Sequence, residues 1–139
     1  MATPERNLWL RLKDNLPKGT HHTRIENRAG SGIPDVLIAH SGAFFVELKC
    51  IKGHKITLRP SQIAWNTSFS RGGGISFILV HRPSTRDLFL FDGGDAMHVS
   101  GTSIQDSSPL WQGKDMKTCV LRLLRLASDL QVRSPGPPG

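Results

Sequence analysis

The segment Ala43-Phe-Phe-Val-Glu-Leu-Lys-Cys50 constrains this chain more than any other. Successive side chains of a strand point to opposite faces, so Phe44, Val46, Leu48 and Cys50 share one face and Ala43, Phe45, Glu47 and Lys49 the other. Both faces begin apolar, the pattern of a strand covered on both sides. Charges inside such a strand are costly unless they are paired or bound to metal. Glu47 and Lys49 nevertheless project from one side, about 6.6 Å apart along the strand. A same-face ion pair where the strand leaves the core is the plainer reading of Glu-x-Lys taken alone. A chain that needed only a core has no reason to put these charges there.

The residues upstream sharpen the point. Asp35-Val-Leu-Ile-Ala39 reads as a second apolar strand, and His40-Ser-Gly42 as the tight turn that joins it to the first. Gly32-Ile-Pro-Asp35 leads into it, twelve positions before Glu47. In a hairpin of this length Asp35 starts its strand within reach of the face that carries Glu47 and Lys49. Two carboxylates and an ammonium at one end of a sheet suit a hard cation and the water it activates.

The remaining elements follow from caps and periodicity. Thr3-Pro4-Glu5 opens a helix, with an N-cap, a proline at the first position and an acid in the first turn. Leu8, Leu12 and Leu16 line one side of it beside Trp9, and Pro17-Lys-Gly19 ends it. Residues 22–27 are polar and weakly alternating, an edge strand. Arg59-Pro60-Ser-Gln62 opens a second helix with Gln62, Trp65 and Phe69 along one face; Arg71-Gly-Gly-Gly74 ends it and lacks the ending of a phosphate loop. Strands follow at 75–81 and 87–91. The Gly- and Ser-rich stretch 93–113 holds at most a short helix near 94–98 and leaves Trp111 unassigned, and a last helix covers 117–130. Trp9 and Trp65 are read as core residues rather than as platforms for bases. The order α-β-β-β-α-β-β-α predicts an α/β (α+β) fold, a mixed sheet flanked by helices. It forms one domain over residues 1–133, with a disordered tail over 134–139.

Composition bounds the partners. Eighteen Lys and Arg against eleven Asp and Glu leave a net charge of +7, and the pI is near 10.1. That balance favours a polyanion, nucleic acid above all. Lys52, His54, Lys55 and Arg59 cluster beside the charged strand as the best patch for phosphate contacts. No apolar run approaches a membrane span, and no signal-peptide core opens the chain. Cys50 and Cys119 make neither a disulfide framework nor a zinc site and read as small buried thiols in a reducing compartment. His21-His22 has no second cluster at ligand spacing, so zinc is not expected; phosphate contact is a role open to either histidine.

Gly32-Ile-Pro-Asp35, Val46-Glu47-Leu-Lys49 and Leu58-Arg-Pro-Ser-Gln62-Ile-Ala-Trp65 together resemble the PD-(D/E)xK nuclease superfamily. Within it they look most like the virus-type VRR-NUC nucleases and the small phage and archaeal Holliday-junction resolvases. The resemblance covers roughly residues 24–81 and implies a restriction-endonuclease-like fold. It implies a metal-dependent DNA endonuclease, with Mg²⁺ or Mn²⁺ on Asp35, Glu47 and the backbone carbonyl of Leu48. Lys49 would position or deprotonate the attacking water, and Gln62 would orient Lys49 or the water. An additional acid is expected from Glu26, or else from Glu5 on the first helix. Arg24 and Arg28 join Lys52, His54, Lys55 and Arg59 as DNA-binding residues. The helix after the charged strand opens Leu58-Arg59 where the family has Leu-Ser, which frees Arg59 for phosphate. The implied substrate is branched or otherwise structured DNA, cut by a homodimer built on the first and last helices. The implied setting is intracellular, a bacterial cytoplasm or phage-infected cell, with no membrane partner. The alternatives are a nicking or flap nuclease of the VRR-NUC kind and a binding module without catalysis.

Overall fold

Thr3 caps the first helix as its sequence demands: the Arg6 amide donates to Thr3 Oγ1 at 3.1 Å. Helix α1 then runs Pro4–Asp14 and buries Leu8, Trp9 and Leu12. It opens a computed structural model that describes residues 3–25 and 31–133. Strands β1 (His21–Arg24), β2 (Val36–Ala39) and β3 (Ala43–Cys50) follow, then α2 (Pro60–Arg71), β4 (Ser76–Arg82) and β5 (Asp87–Asp92). A 3-10 turn at Gly93–Asp95 leads into the short helix α3 (Ala96–Val99), another 3-10 turn covers Ile104–Asp106, and β6 (Trp111–Gly113) precedes α4 (Met116–Arg133).

The six strands form one sheet in sequence order, β1-β2-β3-β4-β5-β6. Every pairing is antiparallel except β3 with β4. That exception has a cause: a parallel pair needs a crossover of a dozen or more residues, and α2 supplies it. β3 therefore lies inside the sheet, with Glu47 opposite Ile78 and Lys49 opposite Val80 of β4.

The sheet is covered on both faces, but on the second face of β3 only Glu47 is buried, with Phe45 and Lys49 half-buried. Phe44, Val46 and Leu48 pack with Val36, Phe77, Leu79 and the inward faces of α1 and α4. On the other face, Ile78, Val80, Phe89 and Phe91 pack with Ile51, Ile56, Leu58 and α3. The chain is thus a mixed sheet flanked by helices, as the order of elements predicts.

Some expectations need correction. β6 adds to the predicted order, and Trp111, unassigned in sequence, begins it; α3, with the 3-10 turn before it, is the short helix expected near 94–98. A three-residue strand flanked by Gly, Pro and Ser is too short for alternation to show. The last helix starts earlier and ends later than 117–130. The carboxylate of Asp115 takes the Thr118 amide at 2.9 Å and so fixes its start. The first strand is described over His21–Arg24, and its expected end at 26–27 lies outside the described residues, as does the 134–139 tail. Trp9 is a core residue, but Trp65 is only half-buried and belongs to neither core. The apolar faces of α1 and α4 are buried inside the chain, through Leu8 and Leu12 and through Met116, Cys119, Val120, Leu123 and Leu124. Leu121 and Val132 of α4 remain exposed.

Cys119 is buried and Cys50 half-buried, and both are free thiols. Among the described residues no helix is long and apolar enough to cross a membrane.

Candidate active site

Pro34 has no amide hydrogen, so the β2–β3 ladder cannot extend through it toward the far end of β3. The last residue pair of that ladder is Val36 with Val46. Beyond it the Asp35 side chain takes over: its Oδ2 accepts the Leu48 amide at 2.8 Å. On the other side the Asp35 carbonyl accepts the Ile25 amide at 2.7 Å, which continues the contact with β1. The Asp35 carboxylate is therefore clamped over β3, between Glu47 and Lys49 in sequence.

Gly32 explains how the segment leading into Asp35 is held. Its φ is +75°, and a Cβ there would lie 2.1 Å from the Ser61 carbonyl oxygen. Only glycine lets this backbone lie against the first turn of α2.

Glu47 is 2% exposed and Gln62 8%. The Gln62 side-chain amide donates to Glu47 Oε1. Its own Oε1 accepts the Arg59 amide at 2.8 Å, half of a capping box. The Arg59 bond fixes which end of the Gln62 amide faces the carboxylate. Behind it, Asn66 Nδ2 donates to the Gln62 carbonyl at 2.8 Å, and Ser76 Oγ donates to Asn66 Oδ1 at 2.7 Å. A buried polar chain thus runs Glu47–Gln62–Asn66–Ser76. Asn66 and Ser76 were missed from sequence; the one available signal was a second amide at i+4 from Gln62 in a helix otherwise read by its aromatics.

Glu47 Oε2 is buried and finds no hydrogen-bond partner among the described residues. Burial, followed by the charge of Asp35, pushes the Glu47 carboxyl up to about 8, against opposing pulls from Arg59 and Lys49. Asp35 is raised as well, chiefly by burial, while the Leu48 amide and the charge of Arg24 pull it down. Two neighbouring buried carboxyls that resist ionisation mark a candidate functional site.

Lys49 follows on the Glu47 face of β3 and is half-buried. It makes no ion pair among the described residues, and its charge reaches Glu47 without a direct bond. Gln62 is engaged with Glu47 and the Arg59 amide, not with Lys49.

Glu5, one of the two upstream acids, reaches the end of β3. Its Oε2 accepts the Cys50 amide at 3.1 Å, and its charge acts on Asp35. Burial first, then Glu5, pushes the Cys50 thiol up to about 12, which leaves it an inert neighbour. Glu26 and Arg28 lie outside the described residues.

Arg59 acts on both carboxyls and Arg24 on Asp35. Lys52, His54 and Lys55 sit on an exposed segment after β3. Lys55 bridges to Ser103, and His54 Nδ1 lies 3.3 Å from Arg82.

The donor set tests which cation fits. Among the described residues no group of three or more His, Cys, Asp or Glu side chains is gathered to hold a metal. The Asp35 and Glu47 carboxylates beside a backbone strand, with a buried Glu47 Oε2 that has no hydrogen-bond partner among the described residues, suit Mg²⁺, which keeps several waters and binds through one or two carboxylates plus phosphate.

No family model and no curated protein matches the chain. Among solved structures it is similar to the Holliday junction resolvase Hjc of Archaeoglobus fulgidus, an archaeal hyperthermophile. Identity is 20%, the TM-score is 0.49, and the likeness covers 64% of this chain and 74% of that one.

Proposed function

We propose that residues 1–133 form a single catalytic domain, a divalent-metal-dependent endonuclease that hydrolyses phosphodiester bonds in DNA and is selective for branched DNA. One observation carries this reading. The Asp35 carboxylate, clamped by the Leu48 amide at 2.8 Å, stands beside a buried Glu47 whose Oε2 has no hydrogen-bond partner among the described residues.

Asp35, Glu47 and the Leu48 carbonyl would hold Mg²⁺ or Mn²⁺. When bound, the cation supplies a Lewis acid for a phosphoryl oxygen and makes a coordinated water acidic enough to attack. The chain's own groups do the rest. Gln62 holds Glu47 in one orientation. Lys49 Nζ, on the same face, offsets charge on the scissile phosphate and orients the attacking water. Glu5 is the described candidate for the additional acid. Arg59, Arg24, Lys52, His54 and Lys55 supply sequence-independent phosphate contacts, in keeping with a net charge of +7.

Resolving a four-way junction needs two symmetric cuts, so the working form is a homodimer with two-fold symmetry. Two free cysteines are in keeping with an intracellular setting, such as a bacterial cytoplasm or a phage-infected cell.

The test is a cleavage panel of four-way junction, linear duplex and supercoiled plasmid, each with Mg²⁺ or with EDTA. The expected result is Mg²⁺-dependent cutting of the junction in preference to the others. Nicking of every substrate would replace junction selectivity with a general nicking activity. Binding without cutting under all conditions would reduce the protein to a binding module.

A further inference from the structure

Helix α2 has its amphipathicity inverted. Its buried residues are Gln62 and Asn66, both polar. Its aromatic residues, Trp65 and Phe69, are only half-buried. The two rings stack at 4.7 Å between centroids and 29° between planes, and Phe45 of β3 meets both edge-on at 5.2 and 5.3 Å. Trp65 and Phe69, backed by Phe45, line a groove of about 440 Å³ whose other walls are Ala64 and the serines Ser31, Ser61 and Ser68. That volume falls within the roughly 300–1,000 Å³ range of sites for small organic groups. Stacked aromatic faces with a rim of hydroxyls match the chemistry of a nucleobase, a flat π-system edged by donors and acceptors.

The groove's walls adjoin, along the chain, the residues that hold the carboxylates. Its Ser31 wall precedes Gly32, whose backbone lies against Ser61, and Asp35 follows three residues on. Its Ser61 wall adjoins Gln62, which holds Glu47. Arg59 stands at the same helix end and acts on both carboxyls. A strand whose phosphate lies at Asp35 and Glu47 would thus bring a neighbouring nucleotide to the groove.

We propose that this groove binds an unpaired base of the DNA strand whose phosphate lies at the carboxylates, so that the site selects DNA with unstacked nucleotides beside the cut. A base inside an intact duplex is stacked and paired on both sides and offers no free face to Trp65. The proposal deepens the nuclease reading and rests on it for the position of the phosphate.

Binding in EDTA tests it independently of cleavage. The probe is a short single-stranded DNA carrying one 2-aminopurine, whose fluorescence falls on stacking, compared with the same strand carrying an abasic residue and with its duplex. Wild-type protein is expected to quench the probe and to bind the single strand more tightly than the abasic strand. Trp65→Ala is expected to weaken single-strand binding about tenfold, to abolish the quench, and to leave duplex and abasic binding unchanged. Ser68→Glu, on an exposed position that carries no packing, is expected to act in the same direction. Unchanged quench and affinity in both variants would overturn the proposal. So would a switch from dimer to monomer in Trp65→Ala, by sedimentation, without loss of the quench, since the face would then join two copies of the chain. Quenching without Lys49-dependent cleavage would keep the groove and remove the nuclease reading; cleavage without quenching would do the reverse.

Discussion

Glu47 holds its proton well above the ordinary carboxylate range, to about pH 8. Its folded-state affinity for a proton exceeds that of the unfolded chain, so protonated Glu47 favours the folded state. That contribution is complete below about pH 4.5, the ordinary value, and is lost as pH rises through about 8. Metal-free protein should therefore lose stability between pH 5 and 9, by an amount on the order of a few kcal/mol. Glu47→Gln should flatten the profile, because the neutral amide keeps the shape without the charge. Thermal unfolding in EDTA across that range checks both. Mg²⁺ should raise the melting temperature more at pH 8 than at pH 5, since proton and cation compete for the same oxygens. A profile equally steep in the glutamine variant would place the titration elsewhere. Gln62→Leu should cost about 1–3 kcal/mol, measurable by urea unfolding, by stranding Glu47 Oε1 and the Arg59 amide together.

At the scale of elements, the placement of Asp35 depends on a loop that tolerates no side chain at Gly32. Gly32→Ala adds a Cβ 2.1 Å from the Ser61 carbonyl at a φ of +75°. The expected result is a stability loss of at least about 1–3 kcal/mol and a larger loss of cleavage, because the same loop carries Asp35. Urea unfolding and single-turnover cleavage read the two effects. An unchanged cleavage rate would mean that the loop does not position the acid.

This is also the scale at which the sequence was most and least legible. The β2–β3 hairpin was readable because Pro34 and Gly42 punctuate it and β3 is apolar on both faces. Helix α2 was readable from Pro60 at its first turn, but its inner face was not. Hydrophobic periodicity assigned Trp65 to the core, whereas Gln62 and Asn66 face inward because Glu47 and Ser76 offer them hydrogen bonds. β6 escaped notice because three residues cannot show a period. Glu5 was ranked behind Glu26 on nearness in chain; α1 folds back onto the end of β3, where Glu5 takes the Cys50 amide, while Glu26 lies outside the described residues.

At the scale of the whole molecule, a net charge of +7 predicts DNA affinity that falls steeply with salt, linearly on logarithmic axes. Arg59→Ala should weaken binding to every DNA tested and reduce that slope by about one; fluorescence anisotropy at several salt concentrations measures it. An affinity unaffected by salt would remove phosphate contacts from the account of binding.

The catalytic convergence of Asp35, Glu47 and Lys49 is tested most directly by single-turnover cleavage of a four-way junction in Mg²⁺, with wild-type protein and Lys49→Ala compared at saturating protein. The prediction is cutting by the wild type, none in EDTA, and a loss of two or more orders of magnitude in the variant with junction binding nearly intact. Lys49→Ala cutting at the wild-type rate would contradict it.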